Sequence, residues 1–345
     1  MTDSVTTDSW WRERSAQFYP KADAAIVGAS SPGAANARPE AGVVLEACRS
    51  AGMVVSGLEP LVPGGTLHAL FRGVRADGQG IVVKCGLVES TRASLAIEAD
   101  LSAVLVGVAV PHARVLAADA TGTHVPFPFT IMQEVGGEPL TVLDNDETRL
   151  EEAIEPYASA LRATHGIGGS GFGLLMGIES SVPWAASSQW WDYVRSRVDD
   201  HCSILLGSGV ITGDQRESIT SIFERAPVGL ATAAAPRLLH GDCGMHNVMY
   251  RDPRTIALID WEDALLGDPL FEVAQWATFQ PRRRWDAFFR SYFGHHWTPG
   301  TLFWTYFLRI ALAKQVVRSR FGYKDLPGRK PSVERIFTAL DHLAP

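Results

Sequence analysis

Two carboxylates and one carboxamide stand at telling spacing within residues 238–269, LLHGDCGMHNVMYRDPRTIALIDWEDALLGDP. Asp242 follows His240-Gly241, Asn247 comes five positions after Asp242, and Asp260 closes the apolar run Ile256-Ala257-Leu258-Ile259. The pattern predicts a hairpin, with Val248-Met249-Tyr250 as one strand, Arg251-Asp252-Pro253-Arg254 as the turn and the Ile256 run as the second strand. Its ends then carry the three polar side chains together. Phosphoryl transfer needs such a set: a carboxylate to orient and deprotonate an attacking hydroxyl, and an amide oxygen with a second carboxylate to hold Mg²⁺ against nucleotide phosphates.

The elements that must position this set lie on both sides of it. Upstream, Ile81-Val82-Val83-Lys84 follows the tight turn at Asp77-Gly78 and reads as a central strand. A lysine there is costly to bury without an anionic partner. The helical segment around Ile97 and Leu101 offers Glu98, fourteen residues after Lys84, while Asp100 points off that face. Before this strand, Pro63-Gly64-Gly65-Thr66 reads as a turn whose glycines let backbone N–H groups approach anionic oxygens. A strand over 128–132 leads into Gln133, Glu134 and Val135 and then Gly136-Gly137, a flexible joint. Beyond it the period becomes helical: Leu150, Ala153, Ile154, Tyr157 and Leu161 predict a helix over 146–164, and further helices follow over 213–225, 270–276, 283–293 and 299–320.

Other candidates carry less. The aromatics Trp184, Trp190, Trp191 and Tyr193, with interleaved aspartates, fit either a ligand pocket or a helical core. His295-His296 is a poor chelating pair, because neighbouring helical side chains diverge. There is no Walker A sequence and no G-x-S-x-G register, so a P-loop and a serine-hydrolase elbow are both excluded. The 345 residues are 46% hydrophobic and 20% charged, the profile of a globular protein large enough for two lobes. The four scattered cysteines form no C-x-x-C pair, which indicates neither a zinc site nor a disulfide framework. A net charge of −7 argues against a nucleic-acid partner. The absence of a long apolar run argues against a membrane partner, and with no apolar leader segment the expected compartment is the cytoplasm.

The His-Gly-Asp form, the Asn five residues on, Ile-Asp-Trp-Glu-Asp and Gly-Asp-Pro together resemble the aminoglycoside phosphotransferase family within the protein-kinase-like superfamily. The resemblance spans roughly residues 50–325 and is strongest over 240–269. It implies an α+β, bilobal kinase-like fold: an N-lobe with an antiparallel β-sheet and one helix, then a mostly α-helical C-lobe. On this sequence that means an N-terminal extension at 1–37, a nucleotide-binding N-lobe at 38–135 and a catalytic, substrate-binding C-lobe at 136–345. It implies ATP (GTP in some members) with Mg²⁺, bound between the lobes. Asp242 resembles the catalytic base, Asn247 and Asp260 the Mg²⁺ ligands, and Lys84 with Glu98 the phosphate-binding pair. His240 would shape the loop and Asp268 would brace it. Gly64, Gly65 and Thr66 would cover the phosphates, and Gln133, Glu134 and Val135 would meet the adenine edge.

The departure is Cys243-Gly244-Met245-His246, where many relatives have Leu-His-Pro-Gly. That loop borders the acceptor pocket, so His246, with Glu262, Asp263 and Trp191, is a candidate substrate contact. Glu262, Asp263 and Glu272 would either meet an ammonium group or be solvated. The expected activity is O-phosphorylation of a small-molecule hydroxyl, foremost an antibiotic (aminoglycoside, macrolide, peptide, or a nucleoside such as capuramycin). A choline- or homoserine-like metabolite kinase, or a non-catalytic ligand-binding module, is the alternative. Monomer and homodimer stay equally open.

Overall fold

A computed structural model describes residues 38–61, 68–87, 91–225, 230, 235–252, 255–321 and 331–344. The expected extension at 1–37 and the turn containing Gly64, Gly65 and Thr66 lie outside the described residues. The chain is α+β, with an antiparallel sheet followed by a mainly helical half.

The first sheet comprises β1 (Val55–Pro60), β2 (His68–Arg75), β3 (Gly80–Gly86), β4 (Val115–Asp119) and β5 (Phe129–Gln133), in the order β1-β2-β3-β5-β4. Gly78 turns β2 into β3 at φ +84°, a backbone state that glycine enters without a Cβ penalty. β3 is central, and Ile81, Val83 and Cys85 are fully buried on one face. Lys84 alternates onto the other face and lies opposite Leu70 on β2 and Thr130 on β5. α1 (Ala41–Ser50) packs Val44, Ala47 and Cys48 into the sheet's own core. It is a second helix on this lobe, beside α2 (Thr91–Gly107).

α2 belongs to both halves. Ile97, Leu101 and Leu105, at i, i+4, i+8, join the large core of the second half, and Glu98 turns to Lys84. β6 (Glu138–Pro139) then pairs with β10 (Val248–Asp252), which pairs in turn with β11 (Thr255–Leu258). The hairpin expected over 248–259 is therefore present. α3 (Glu147–His165) starts under an Asp146 cap that accepts from the Arg149 amide, and it buries Leu150, Ile154, Tyr157 and Leu161.

Two strands that the sequence reading did not anticipate follow: β7 (Phe172–Glu179) and β8 (Val182–Ser187). With β9 (Arg237–Leu239) and β12 (Leu265–Gly267) they form the sheet β8-β7-β12-β9. This sheet fixes both entry to and exit from the His240–Asp263 region. The remaining helices are α4 (Trp190–Arg195), α5 (Val198–Gly207), α6 (Gly213–Glu224), α7 (Pro269–Phe279), α8 (Trp285–Phe293), α9 (Thr301–Phe321) and α10 (Glu334–Leu343). α9 runs through the core, burying Phe303, Tyr306, Phe307, Ile310 and Leu312. Among the described residues no helix is long and apolar enough to cross a membrane.

Candidate active site

His240 leaves β9 and is wholly buried. Its Nε2 donates to the Ile259 carbonyl at 2.9 Å and its Nδ1 accepts from the Asp242 amide at 3.3 Å, so the ring is a strut between the two strand ends. Gly241 takes φ +85°, and a Cβ there would overlap the Asp263 carbonyl; the tight passage needs glycine. Beneath the turn lies Glu272 of α7, fully buried. Its carboxylate accepts from the His240 amide at 3.0 Å, the Gly241 amide at 2.7 Å and His165 Nε2 at 2.8 Å. Tyr292 then meets His165 Nδ1 at 2.6 Å. Burial alone would raise the Glu272 pKa, but His165 and His240 hold it below the usual carboxylate value.

This arrangement corrects two expectations. Glu272 neither faces solvent nor awaits an ammonium group; it braces the loop from below. Asp268, expected in that role, instead caps α7 by accepting from the Leu270 amide at 2.9 Å and receives the Tyr306 hydroxyl at 2.9 Å. Sequence reasoning missed the brace because its partners are backbone amides about thirty residues away. The available signal was an acid placed one turn into an otherwise apolar helix.

Asp242 projects from the supported turn with its side chain 31% exposed. Asn247 Nδ2 donates both to its carbonyl at 3.0 Å and to its Oδ2 at 2.9 Å, which fixes the carboxylate and leaves Asn247 Oδ1 as an acceptor. His246 Nε2 stands 3.2 Å from the same Oδ2. Burial pushes the Asp242 pKa up, but the His246 hydrogen bond and charge, with Lys314 and His240 behind them, bring it below its ordinary value. The hydrogen bond to Asp242 correspondingly raises His246. Asp242 is thus an ionised acceptor at neutral pH, open on one side.

At the end of the second strand of the hairpin is an ion cluster. Lys84 Nζ lies 3.0 Å from Glu98 Oε2, 2.6 Å from Asp260 Oδ1 and 3.6 Å from Glu262 Oε2. Glu98 Oε1 also accepts from the Trp261 amide at 3.1 Å, tying α2 to the residue after Asp260. Asp260 itself sits at φ +66°, a left-handed state uncommon for a non-glycine residue and typical of functional sites. Burial opposes ionisation of Asp260, yet the Lys84 charge holds its pKa down to about 2. Burial, with Asp260, Asp263 and Glu98 nearby, drives Glu262 upward against Lys84. His68 Nε2 is 3.2 Å from Glu262 Oε2, though without hydrogen-bond alignment. Burial and Lys84 lower the His68 pKa to about 3, so that imidazole is neutral.

The structure therefore brings Lys84, Glu98, His240, Asp242, His246, Asn247, Asp260 and Glu262 into one constellation; the Ile259 amide bonds the Asn247 carbonyl at 2.9 Å, linking the two Mg²⁺ candidates. The Asn247 and Asp260 oxygens are hard donors suited to Mg²⁺, which would draw its remaining ligands from phosphates and water. At the joint, the Gln133 and Glu134 amides are taken by the Arg114 and Gly80 carbonyls at 2.8 and 2.9 Å. Glu134 turns its carboxylate to Arg72 at 2.7 Å. Those two amides are committed within the protein, so Val135 and the joint's carbonyls are what an adenine edge could meet. Asp263 is half-buried beyond Glu262. Trp191 is not part of the constellation: it stacks on Phe223 with ring centroids 5.9 Å apart and packs against the C-terminal core.

The model of the phosphotransferase enzyme family matches residues 63–307, the greater part of the chain and the whole constellation. The chain belongs to the phosphotransferase enzyme family. Hygromycin-B 4-O-kinase of Escherichia coli is 27% identical over 145 residues, a match covering 41% of this chain and 41% of that enzyme. The chain thus aligns with less than half of that relative's length. An aminoglycoside phosphotransferase in ternary complex with ADP and hygromycin B shares the fold, with TM-score 0.61 at 21% identity, covering 87% of this chain and 98% of that one. A macrolide 2'-phosphotransferase from Brachybacterium faecium does so with TM-score 0.58 at 15% identity, covering 88% and 98%. These family members establish the kinase-like α+β architecture for the described residues.

Proposed function

We propose that this phosphotransferase-family chain transfers the γ-phosphoryl group of ATP to a hydroxyl of a small molecule, with an antibiotic as the foremost acceptor class, and that it does so in the cytoplasm. The observation that carries the reading is the double grip of Asn247 Nδ2 on Asp242, which orients one carboxylate and leaves the Asn247 amide oxygen free to accept. Asp242 accepts the proton of the attacking hydroxyl as its oxygen bonds to the γ-phosphorus and the bond to the ADP leaving oxygen breaks. Lys84, already buried with Glu98 as counter-charge, supplies a fixed positive charge for the nucleotide phosphates. Asn247 and Asp260 would hold Mg²⁺, which when bound neutralises charge on the β and γ phosphates. The names of the relatives, which act on hygromycin B or macrolides, support an antibiotic acceptor.

The test is a mass-spectrometric screen of the purified chain with ATP, Mg²⁺ and aminoglycoside, macrolide, peptide and nucleoside antibiotics. A gain of about 80 Da on one class establishes the transferase. Asp242→Ala should lower that rate by about 10²–10⁴-fold, the usual contribution of a positioned base, while ADP binding persists. Turnover confined to choline- or homoserine-like acceptors would move the reading to a metabolite kinase.

A further inference from the structure

Basic side chains line the surroundings of Asp242, contrary to what the overall acidity of the chain suggests. From the loop, His246 reaches Asp242 at 3.2 Å, and its ring meets Phe279 edge-on with centroids 5.9 Å apart. On the face of that Phe279 ring lies the ammonium of Lys314, from α9, which donates to Thr278 Oγ1 at 2.6 Å. Lys314 is only partly covered and has two further N–H donors. Its field reaches Asp242, and Arg335 of α10 adds positive charge behind it. Of the three acids that the sequence offered to an ammonium group, Glu272 is buried under the loop and Glu262 faces Lys84 and His68, while Asp263 is half-buried beyond Glu262.

We propose that Lys314 and Phe279 form an acceptor subsite beside Asp242 that selects a hydroxylated molecule carrying a carboxylate near its reacting hydroxyl, and that disfavours polyammonium acceptors. The proposal rests on the transferase reading above and narrows it. The ring of Phe279 holds the Lys314 ammonium over its face and so fixes where that charge stands. Lys314 supplies a charge-assisted hydrogen bond, the stronger for being partly desolvated. Burial lowers the Lys314 pKa well below that of an ordinary lysine, with Asp242 opposing the shift. A bound carboxylate favours the ammonium form, whereas a second cation at that spot disfavours it further.

The test uses the full chain with AMP-PNP and Mg²⁺ and a matched trio of sugars: glucuronate, glucose and glucosamine, with neomycin as a polycation. Binding is read by saturation-transfer NMR. Glucuronate should bind about tenfold or more tightly than glucosamine, the size of one charge-assisted hydrogen bond. Lys314→Met should erase that preference and Lys314→Arg should keep it. Equal or tighter binding of glucosamine or neomycin, a preference unchanged in Lys314→Met, or no binding by any of the four overturns the subsite. Parallel samples with ATP separate the two readings. Preference for glucuronate without phosphate transfer keeps the subsite and removes the transferase reading. Transfer to neomycin that Lys314→Met leaves intact removes the subsite and keeps the transferase.

Discussion

Replacing Glu272 with glutamine is the sharpest test of how the loop is held. The carboxylate accepts from the His240 amide at 3.0 Å, the Gly241 amide at 2.7 Å and His165 Nε2 at 2.8 Å, all in a fully buried position. Glutamine keeps one acceptor oxygen and puts an NH₂ donor in place of the other. With its oxygen toward His240 and His165, the NH₂ faces the Gly241 N–H; turned round, it faces two donors. Even the better orientation loses one charge-assisted hydrogen bond, at about 1.5–3 kcal/mol, and strands a buried N–H, at about 1–3 kcal/mol. The sum is about 2.5–6 kcal/mol, which at ~2–4 °C per kcal/mol lowers Tm by roughly 5–24 °C. Circular-dichroism melts of both proteins at pH 7.5 measure it.

The pH dependence gives a second reading of the same variant. The folded pKa of Glu272 lies below its unfolded value, so the carboxylate contributes stability above an unfolded pKa of about 4.3. That contribution is lost as pH falls through the folded value. The gap between wild type and Glu272→Gln should therefore be full at neutral pH and narrow below about pH 4. A Tm within 2 °C of wild type at pH 7.5, or a gap that widens on acidification, refutes the brace.

Other outcomes follow from neighbouring contacts. Lys84→Met leaves the Glu98 carboxylate buried at 3% exposure without its cation, so Tm should fall and KM for ATP should rise about tenfold or more, read in a coupled ADP assay; an unchanged KM would separate Lys84 from the phosphates. Gly241→Ala must hold a Cβ at φ +85° against the Asp263 carbonyl, and a soluble variant with the wild-type Tm would contradict the geometry described. Asn247→Asp sets a second carboxylate on Asp242 Oδ2, so the acid limb of the pH–rate profile should move to higher pH while kcat falls; a shift to lower pH would show that Asp242 is not the titrating base.

Much of this site was legible because its residues are specified by local chain geometry. The hairpin at 248–259 follows from apolar runs flanking a turn, and Lys84 and Glu98 meet because one alternates on a strand and the other lies on a helix at a workable separation. β7 and β8 were not legible: their glycine-rich start resembles a loop, and β7 is placed by pairing with β12, itself paired with β9, both remote in sequence. Glu272 was misread for a related reason, since two of its three partners are main-chain amides that leave no trace in side-chain patterning. Trp191 illustrates the ambiguity of aromatics, whose spacing serves a core as readily as a pocket.

α2 has a consequence for control. In protein kinases the lysine–glutamate pair is made and broken by moving the helix that carries the glutamate. Here the same helix that offers Glu98 to Lys84 also sinks Ile97, Leu101 and Leu105 into the core of the other half. Withdrawing it would expose three large apolar side chains, at about 1.5–3 kcal/mol each and roughly 5–9 kcal/mol together. A withdrawn state would then occupy less than about one molecule in a thousand. α2 is in effect welded against the movement by which protein kinases break that pair, and under the proposed function the output should follow the supply of nucleotide and acceptor.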